Sequence, residues 1–331
     1  MTAQDILSRL PGLRILVIGD LMLDHYVWGE VTRISPEAPV PIVHVARESD
    51  TAGGAANVAL NLASLGVRAE VIGCMGEDAA AGRLRALLHA GAIETGRCIV
   101  RAGVPTIVKT RVVARTQQLC RIDHEAPRAA YDLGDSSCLE SALAAAVGEA
   151  DAVIISDYAK GVVTQALIDR VFALGRNRGC LVAVDPKPVR HLNLTGAGVL
   201  TPNRAEALEL AGLTDHGGEP PSLEEVARRI HAAHAPGLLV ITLGADGMAI
   251  CRQGKVERMP THAREVFDVS GAGDTVIATL TAALAAKASA VDAAYFANIA
   301  AGIVVSKFGT ATVSCAEILE GGRSLPNGFA S

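Results

Sequence analysis

From about Leu139 onward the chain repeats one pattern: a short apolar run ending on a polar residue, then a longer segment rich in Ala, Leu and Arg. The runs are DAVIISD (151–157), CLVAVDP (180–186), GVLTPN (198–203) and GLLVITLG (237–244). Short, continuously apolar runs of this kind read as strands buried on both faces, with helices between them. A strand that returns parallel to its predecessor needs a crossover, and right-handed crossovers lay helices on the sheet. The predicted fold class is therefore α/β, with a doubly wound, mostly parallel sheet. LRILVIGD (13–20) reads as the first strand and AEVIGCMGED as the second with its turn. GGAANVALNLASLG (53–66) reads as a glycine turn into a helix, and AAGRLRALLHAGA as another helix.

Two segments break this rhythm. LMLDHYVWGEVTRISPEAPVPIVHVARESD (21–50) holds several prolines and β-formers without a helical period. CIVRAGVPTIVKTRVVARTQQLCRIDHE (98–125) alternates apolar and polar residues, the period of half-exposed antiparallel strands. The two are natural partners, so a small β-sheet lid is expected from about 21–50 and 98–125, on one domain spanning 1–331. No repeat or low-complexity linker divides the chain.

Half of the 331 residues are hydrophobic, ample for one large core, and aromatics make up only 3%. The formal net charge is −5 and no basic block stands out, which argues against a nucleic-acid partner. The cysteines are odd in number, at 74, 98, 120, 138, 180, 251 and 315, with no CxxC pair. That excludes a disulfide framework or zinc site as the organising device and suits the reducing cytoplasm. The first twenty residues lack the basic start and apolar stretch of a signal peptide. The apolar stretch ending at Lys287 is too short to span a bilayer, so no membrane role is expected.

Asp20, Asp157, Asp185, Lys187, Asn203 and Thr242 all fall at or just past the C-terminal ends of predicted strands. In open α/β sheets that edge is where ligands bind. Late in the chain, DVSGAGD (268–274) precedes a small-residue apolar helix, TVIATLTAALAA. Glycines let backbone N–H groups approach an anion without a Cβ in the way, and a helix N-terminus adds partial positive charge. An Asp at the head of that helix can accept a proton. The arrangement suits phosphoryl transfer to a hydroxyl, with Asp274 as base and the N–H groups of Gly271, Ala272 and Gly273 as the anion hole. An Asp that merely caps the helix accounts for the same tetrapeptide. GxxxxGK[ST] is absent, and IGDLML stands where a dinucleotide-binding GxGxxG would follow the first strand.

AGGAANVALNLASLGVRAEVIGCMGED and DVSGAGD resemble the two signatures of the ribokinase-like (PfkB-type) carbohydrate kinases, over nearly the whole chain. The second is usually DTxGAGD, so Val269 departs from it without touching Asp274. Within the family, DLMLDHYVWGEVTRISPEAPVPIV, SDYAKG, DPK and TPNRAE are similar to the heptose 7-phosphate kinases. The resemblance implies ATP-dependent phosphorylation of the C1 hydroxyl of D-glycero-β-D-manno-heptose 7-phosphate, leading towards ADP-heptose for the lipopolysaccharide core. It also implies Mg²⁺, a homodimer formed through the lids, and the kinase without the nucleotidylyltransferase domain that follows it in many relatives. Another sugar on the same fold, or a non-catalytic sugar-phosphate sensor, stays open.

The resemblance assigns roles residue by residue. Gly53 and Gly54 match the di-glycine beside the sugar, with Asn57, Asp20, Asp24 and Asp157 as further substrate ligands. A distal phosphate needs cations. Arg111, Arg115 and Arg121 lie at even offsets on the second lid segment, which places them on one face if no bulge intervenes. Arg121 and Lys160 are the favoured pair. Asn203 and Glu206 match the NxxE element that organises magnesium through water, though N-x-x-E also has nearly the form of a capping box. Lys187, Thr242, Gly244, Gly247 and Asn298 fall on the nucleotide side, and Asp268 is a candidate for a monovalent cation such as K⁺.

Overall fold

The computed structural model describes residues 1–323 other than 116, 135–136, 214–219, 253 and 264–265. Its strands are β1 (Arg14–Gly19), β2 (Leu21–Ile34), β3 (Pro41–Gly54), β4 (Arg68–Ile72), β5 (Cys74–Gly76), β6 (Ile99–Arg101), β7 (Ile107–Ala114), β8 (Gln117–His124), β9 (Ala152–Ser156), β10 (Leu181–Asp185), β11 (Val199–Leu200), β12 (Leu238–Thr242), β13 (Met248–Arg252) and β14 (Lys255–Met259). Eight form the main sheet, in the order β14-β13-β12-β11-β10-β9-β1-β4. It is parallel from β4 to β12, and β13 and β14 add an antiparallel hairpin at one edge.

The apolar runs read above are buried for the reason they are continuous. Ile15 and Val17 of β1 face one core, packed on helices Ala55–Ser64, Ala272–Ala285 and Ala290–Val304. Leu16 and Ile18 face a second, packed on helices Ser137–Glu149, Gln165–Arg178 and Leu223–His234. Both faces of the strand are dry, so neither parity is polar. The chain places β4 on one side of β1 and β9 on the other, which makes a topological switch point. Asp20, Asp157 and Asp185 sit at the strand ends beside it.

A second sheet of four strands, ordered β3-β2-β7-β8, is built from residues 21–54 and 107–124. Only Asp20 separates β1 from β2, so the chain passes directly from one sheet to the other. β2 and β3 are long strands of 14 residues each rather than the short pieces the prolines suggest. β3 runs through Gly53 and Gly54, which therefore end a strand instead of forming a free turn. Ile99–Arg101 leaves this sheet altogether and pairs with β5. No helix among the described residues is long and apolar enough to cross a membrane.

Candidate active site

Helix Ala272–Ala285 begins at Gly271, whose φ of 79° is the left-handed conformation that glycine adopts freely. A Cβ on Gly271 would lie 2.7 Å from Asn57 Nδ2, so the position has no room for a side chain. No side chain caps this helix. Among the described residues the N–H groups of Gly271 and Gly273 meet no protein acceptor, whereas that of Ala272 donates to the Val269 carbonyl at 3.2 Å. The open donors at this terminus are thus Gly271 and Gly273, and Ala272 drops out of the expected set of three.

Asp274 follows in the first turn and is 1% exposed. The Tyr158 hydroxyl donates to its Oδ1 at 2.6 Å, and Asn57 Nδ2 donates to its Oδ2 at 2.8 Å. Burial pushes the carboxyl up to about 6, against the pull of these two donors. Asn57 is fully buried and directs its amide at Asp274, which places it against the carboxylate rather than in open space for a sugar.

Asp20 is also fully buried. Its Oδ2 accepts the N–H groups of Tyr158 and Lys160 and its Oδ1 that of Val162. Three backbone donors leave it no exposed oxygen for a sugar, so Asp20 shapes the 158–162 loop instead of contacting ligand. Asp24, on β2, is paired with Arg111 of β7. A Cβ on Gly53 would come within 2.5 Å of Asp24 Oδ2, which is why the strand beside it ends in glycine. Asp157 is held by Arg190 at 2.6 and 2.7 Å, yet burial still pushes it up to about 6.

A cavity of about 220 Å³ opens beside Gly273, lined by Asp157, Tyr158, Asp185, Lys187, Asn203, Glu206 and Thr242 among others. It gathers residues from four strand ends, as the switch-point rule requires. Asn203 and Glu206 do form a reciprocal capping box on helix Arg204–Leu210, and Lys187 Nζ donates to Glu206 Oε1 at 2.8 Å. Asp185 is half-buried at the end of β10, and its carboxyl is raised well above the usual carboxylate range by desolvation and then by the charges of Glu206 and Asp274. That excess of negative charge is what a divalent cation would relieve, so the Asp185–Glu206 wall fits a magnesium held largely through water. Gly244 and Gly247 frame a short turn after β12, both with positive φ. Asn298 lies elsewhere, donating to the Pro260 carbonyl at 2.7 Å, and does not line the cavity. Asp268 accepts the N–H groups of Ser270 and Gly309, a loop-organising pattern.

The cations of the second sheet separate by register. In strand register Lys109 lies opposite Asp24 of β2 and Asp123 of β8, while Arg111 lies opposite Tyr26 and Arg121. Lys109, Arg111 and Arg121 therefore share one face. Arg115 lies past the end of β7 in the hairpin turn with φ 55°, off that face, and the register shift at Val112/Val113, with one extra residue on β8, is what sets Arg121 opposite Arg111. In this structure Arg121 is paired with Asp123 and Lys160 with Glu125. Lys109 is different. It is largely buried with its ammonium 5.4 Å from the centre of the Tyr158 ring, and among the described residues no carboxylate pairs with it. Burial lowers its proton affinity, the charge of Asp24 opposes this, and the charges of Lys160, Arg121 and Arg111 lower it further. The sequence held a signal for Lys109, since it is two residues from Arg111 in an alternating strand.

Residues 13–317 match the family model described as pfkB family carbohydrate kinase. The bifunctional protein HldE of Magnetococcus marinus is 43% identical over 307 residues, 92% of this chain and 63% of that protein. The HldE of Halorhodospira halophila is 45% identical over 93% of this chain and 64% of its own length. The chain thus spans a little under two thirds of these curated relatives. Among solved structures, Arabidopsis thaliana ribokinase complexed with ribose and ATP superposes with a TM-score of 0.74 at 22% identity, covering 94% of this chain and 99% of that one. Thermotoga maritima ribokinase gives 0.72 at 20% identity, covering 94% and 100%. At such identities the structural likeness speaks for the fold alone. With its sequence signatures, its sheet order and the glycine-headed helix agreeing, the chain belongs to the pfkB family of carbohydrate kinases.

Proposed function

We propose that this protein transfers the γ-phosphoryl group of ATP to the anomeric C1 hydroxyl of D-glycero-β-D-manno-heptose 7-phosphate, forming the 1,7-bisphosphate and ADP. The observation that carries the reading is Lys109. A largely buried ammonium with no carboxylate partner, on the same sheet face as Arg121 and close to Lys160, is prepared for an anion carried by the sugar. A sugar without a second phosphate would leave that charge without an ion-pair partner, with only the field of Asp24 and Asp123 to offset it. Heptose itself rests on the resemblance of SDYAKG, DPK and TPNRAE to heptose 7-phosphate kinases.

In the transfer, the C1 oxygen attacks the γ-phosphorus as the bond to the ADP oxygen breaks. Asp274 takes the hydroxyl proton, and a carboxyl pushed up to about 6 has a proton affinity suited to work near neutral pH. The free N–H groups of Gly271 and Gly273 face the charge that spreads over the transferring group. Lys187 stands over the cavity wall to neutralise nucleotide phosphate. Glu206 and Asp185 would hold a magnesium ion through water, which would supply charge neutralisation for the triphosphate. The four-stranded sheet acts as a lid that excludes water, and its exposed Ile34, Val40, Val45 and Ile122 suit a lid-to-lid homodimer. A cytoplasmic location follows from use of ATP and from the free thiols.

ADP release with Mg-ATP and a panel of heptose 7-phosphate, unphosphorylated heptose, fructose 6-phosphate and ribose tests the reading. Turnover confined to heptose 7-phosphate is the expected result. Turnover with ribose or fructose 6-phosphate in its place would overturn the substrate while leaving the base and the fold. Bound ATP without turnover on any sugar would favour a sugar-phosphate sensor.

A further inference from the structure

Tyr158 is a half-buried phenol that the transfer chemistry leaves without a role, although it touches the base directly. Its hydroxyl reaches Asp274 Oδ1 at 2.6 Å from the loop after β9. Asn57 reaches Oδ2 at 2.8 Å from helix Ala55–Ser64. Behind Asn57 the chain of donors continues. Asn61 Nδ2 donates to the Asn57 carbonyl at 3.0 Å and to Asn57 Oδ1 at 3.3 Å, and the Thr275 hydroxyl donates to Asn61 Oδ1 at 3.0 Å. An ionised carboxylate only accepts, so both neighbours must present N–H or O–H to it, and the whole chain has one polarity.

One donor would leave the carboxylate free to rotate about its last bond, a broad two-fold torsion. Two donors from separate elements, one on each oxygen, fix its plane. We propose that Tyr158 is a positioning residue for the phosphoryl transfer, holding Asp274 in the orientation and charge state from which it accepts the sugar proton. The inference rests on the reading of Asp274 as base. The other charged groups that act on Asp274 are Asp24 of β2, which raises its proton affinity, and Lys109 of β7, which lowers it, while Asp185 at the end of β10 is itself raised by the charge of Asp274. A change at Tyr158 alters none of these.

The test is Tyr158→Phe, which keeps the ring beneath Lys109 and removes the donor. Titration of the Asp274 carboxyl by ¹³C NMR in the ligand-free protein, identified with Asp274→Asn, reads the contact without any substrate. It should move up by about one pH unit. The acidic limb of kcat for heptose 7-phosphate should move with it, kcat should fall about tenfold, and KM for both substrates should hold, as when a transition-state interaction is lost. 3-Fluorotyrosine at 158 is a stronger donor in the same ring and should move the titration the other way, which guards against a Phe variant that folds poorly. A carboxyl titration in Tyr158→Phe that coincides with wild type would overturn the proposal. An Asp274→Asn enzyme that still turns over would overturn the base assignment beneath it, whichever way the titration moves.

Discussion

Replacing Asp274 with Asn removes a buried charge while nearly keeping the shape. The carboxyl is 1% exposed, so solvent does not screen the effect. Burial raises it from 3.8 in a free chain to about 6 in the fold, a difference of about two pH units. At 1.36 kcal/mol per unit this corresponds to about 3 kcal/mol. The sign follows from proton counting. Between about pH 4 and 6 the folded protein holds a proton that the unfolded chain has released, so stability falls as pH rises through that window. Above it, the ionised carboxylate destabilises the fold by the full amount. The Asn variant lacks this dependence, and Tyr158 can turn its hydroxyl to accept from the new amide. Urea unfolding of both proteins across about pH 4 to 8 should show the variant gaining about 3 kcal/mol relative to wild type as pH rises, on top of any constant offset. The same variant should lose kcat by several orders of magnitude with substrate binding kept. A stability difference that stays flat with pH would refute the idea that Asp274 is held as a costly buried base.

Lys109→Met should raise KM for the sugar phosphate by about 10- to 100-fold, the loss of one charged contact, with KM for ATP unchanged. An equal effect on an unphosphorylated sugar in steady-state kinetics would refute its role at the distal phosphate. Gly271→Ala forces a left-handed φ on a residue with a Cβ and drives that Cβ against Asn57, so turnover should drop sharply and denaturant unfolding should show a loss of about 2 kcal/mol. Arg190→Met strands Asp157 without its guanidinium and should cost about 3 kcal/mol at neutral pH, with much of the loss recovered below about pH 6 as Asp157 protonates. Equal unfolding midpoints for this variant and wild type at pH 8 would contradict that pairing.

Much of the fold was legible because its information is local. Apolar runs of five or six residues at regular intervals mark parallel strands wherever they fall, and GAGD marks a backbone loop at a helix start without help from any partner. The edge hairpin of β13 and β14 is not legible locally, because Met248–Arg252 is only a short apolar run whose antiparallel pairing depends on its partner, and Lys255–Met259 is mostly polar. The site was legible as a set of positions, since strand-end polar residues must converge at a switch point. Their roles were not. Asn57 and Asp274 are 217 residues apart, and only closure of the core brings the amide to the carboxylate. Asp20 stands where the resemblance expects a sugar ligand, yet the 158–162 loop, more than 130 residues later, takes both its oxygens.

The lid shows the same division. Alternation over 98–125, with β-formers and no helical period over 21–50, identifies two β segments that belong together, because such patterns are properties of single strands. Which cations face the site depends on register, and register is a property of two strands. The turn after Ala114 takes Arg115 off the face, the shift at Val112/Val113 brings Arg121 onto it, and Lys109 is left as the partly buried cation without an ion-paired carboxylate among the described residues. The sequence by itself determined the elements, their order and the backbone loop at Gly271. The tertiary structure decided which charges are paired and which are left free, because pairing is set by contacts between residues that the chain keeps far apart.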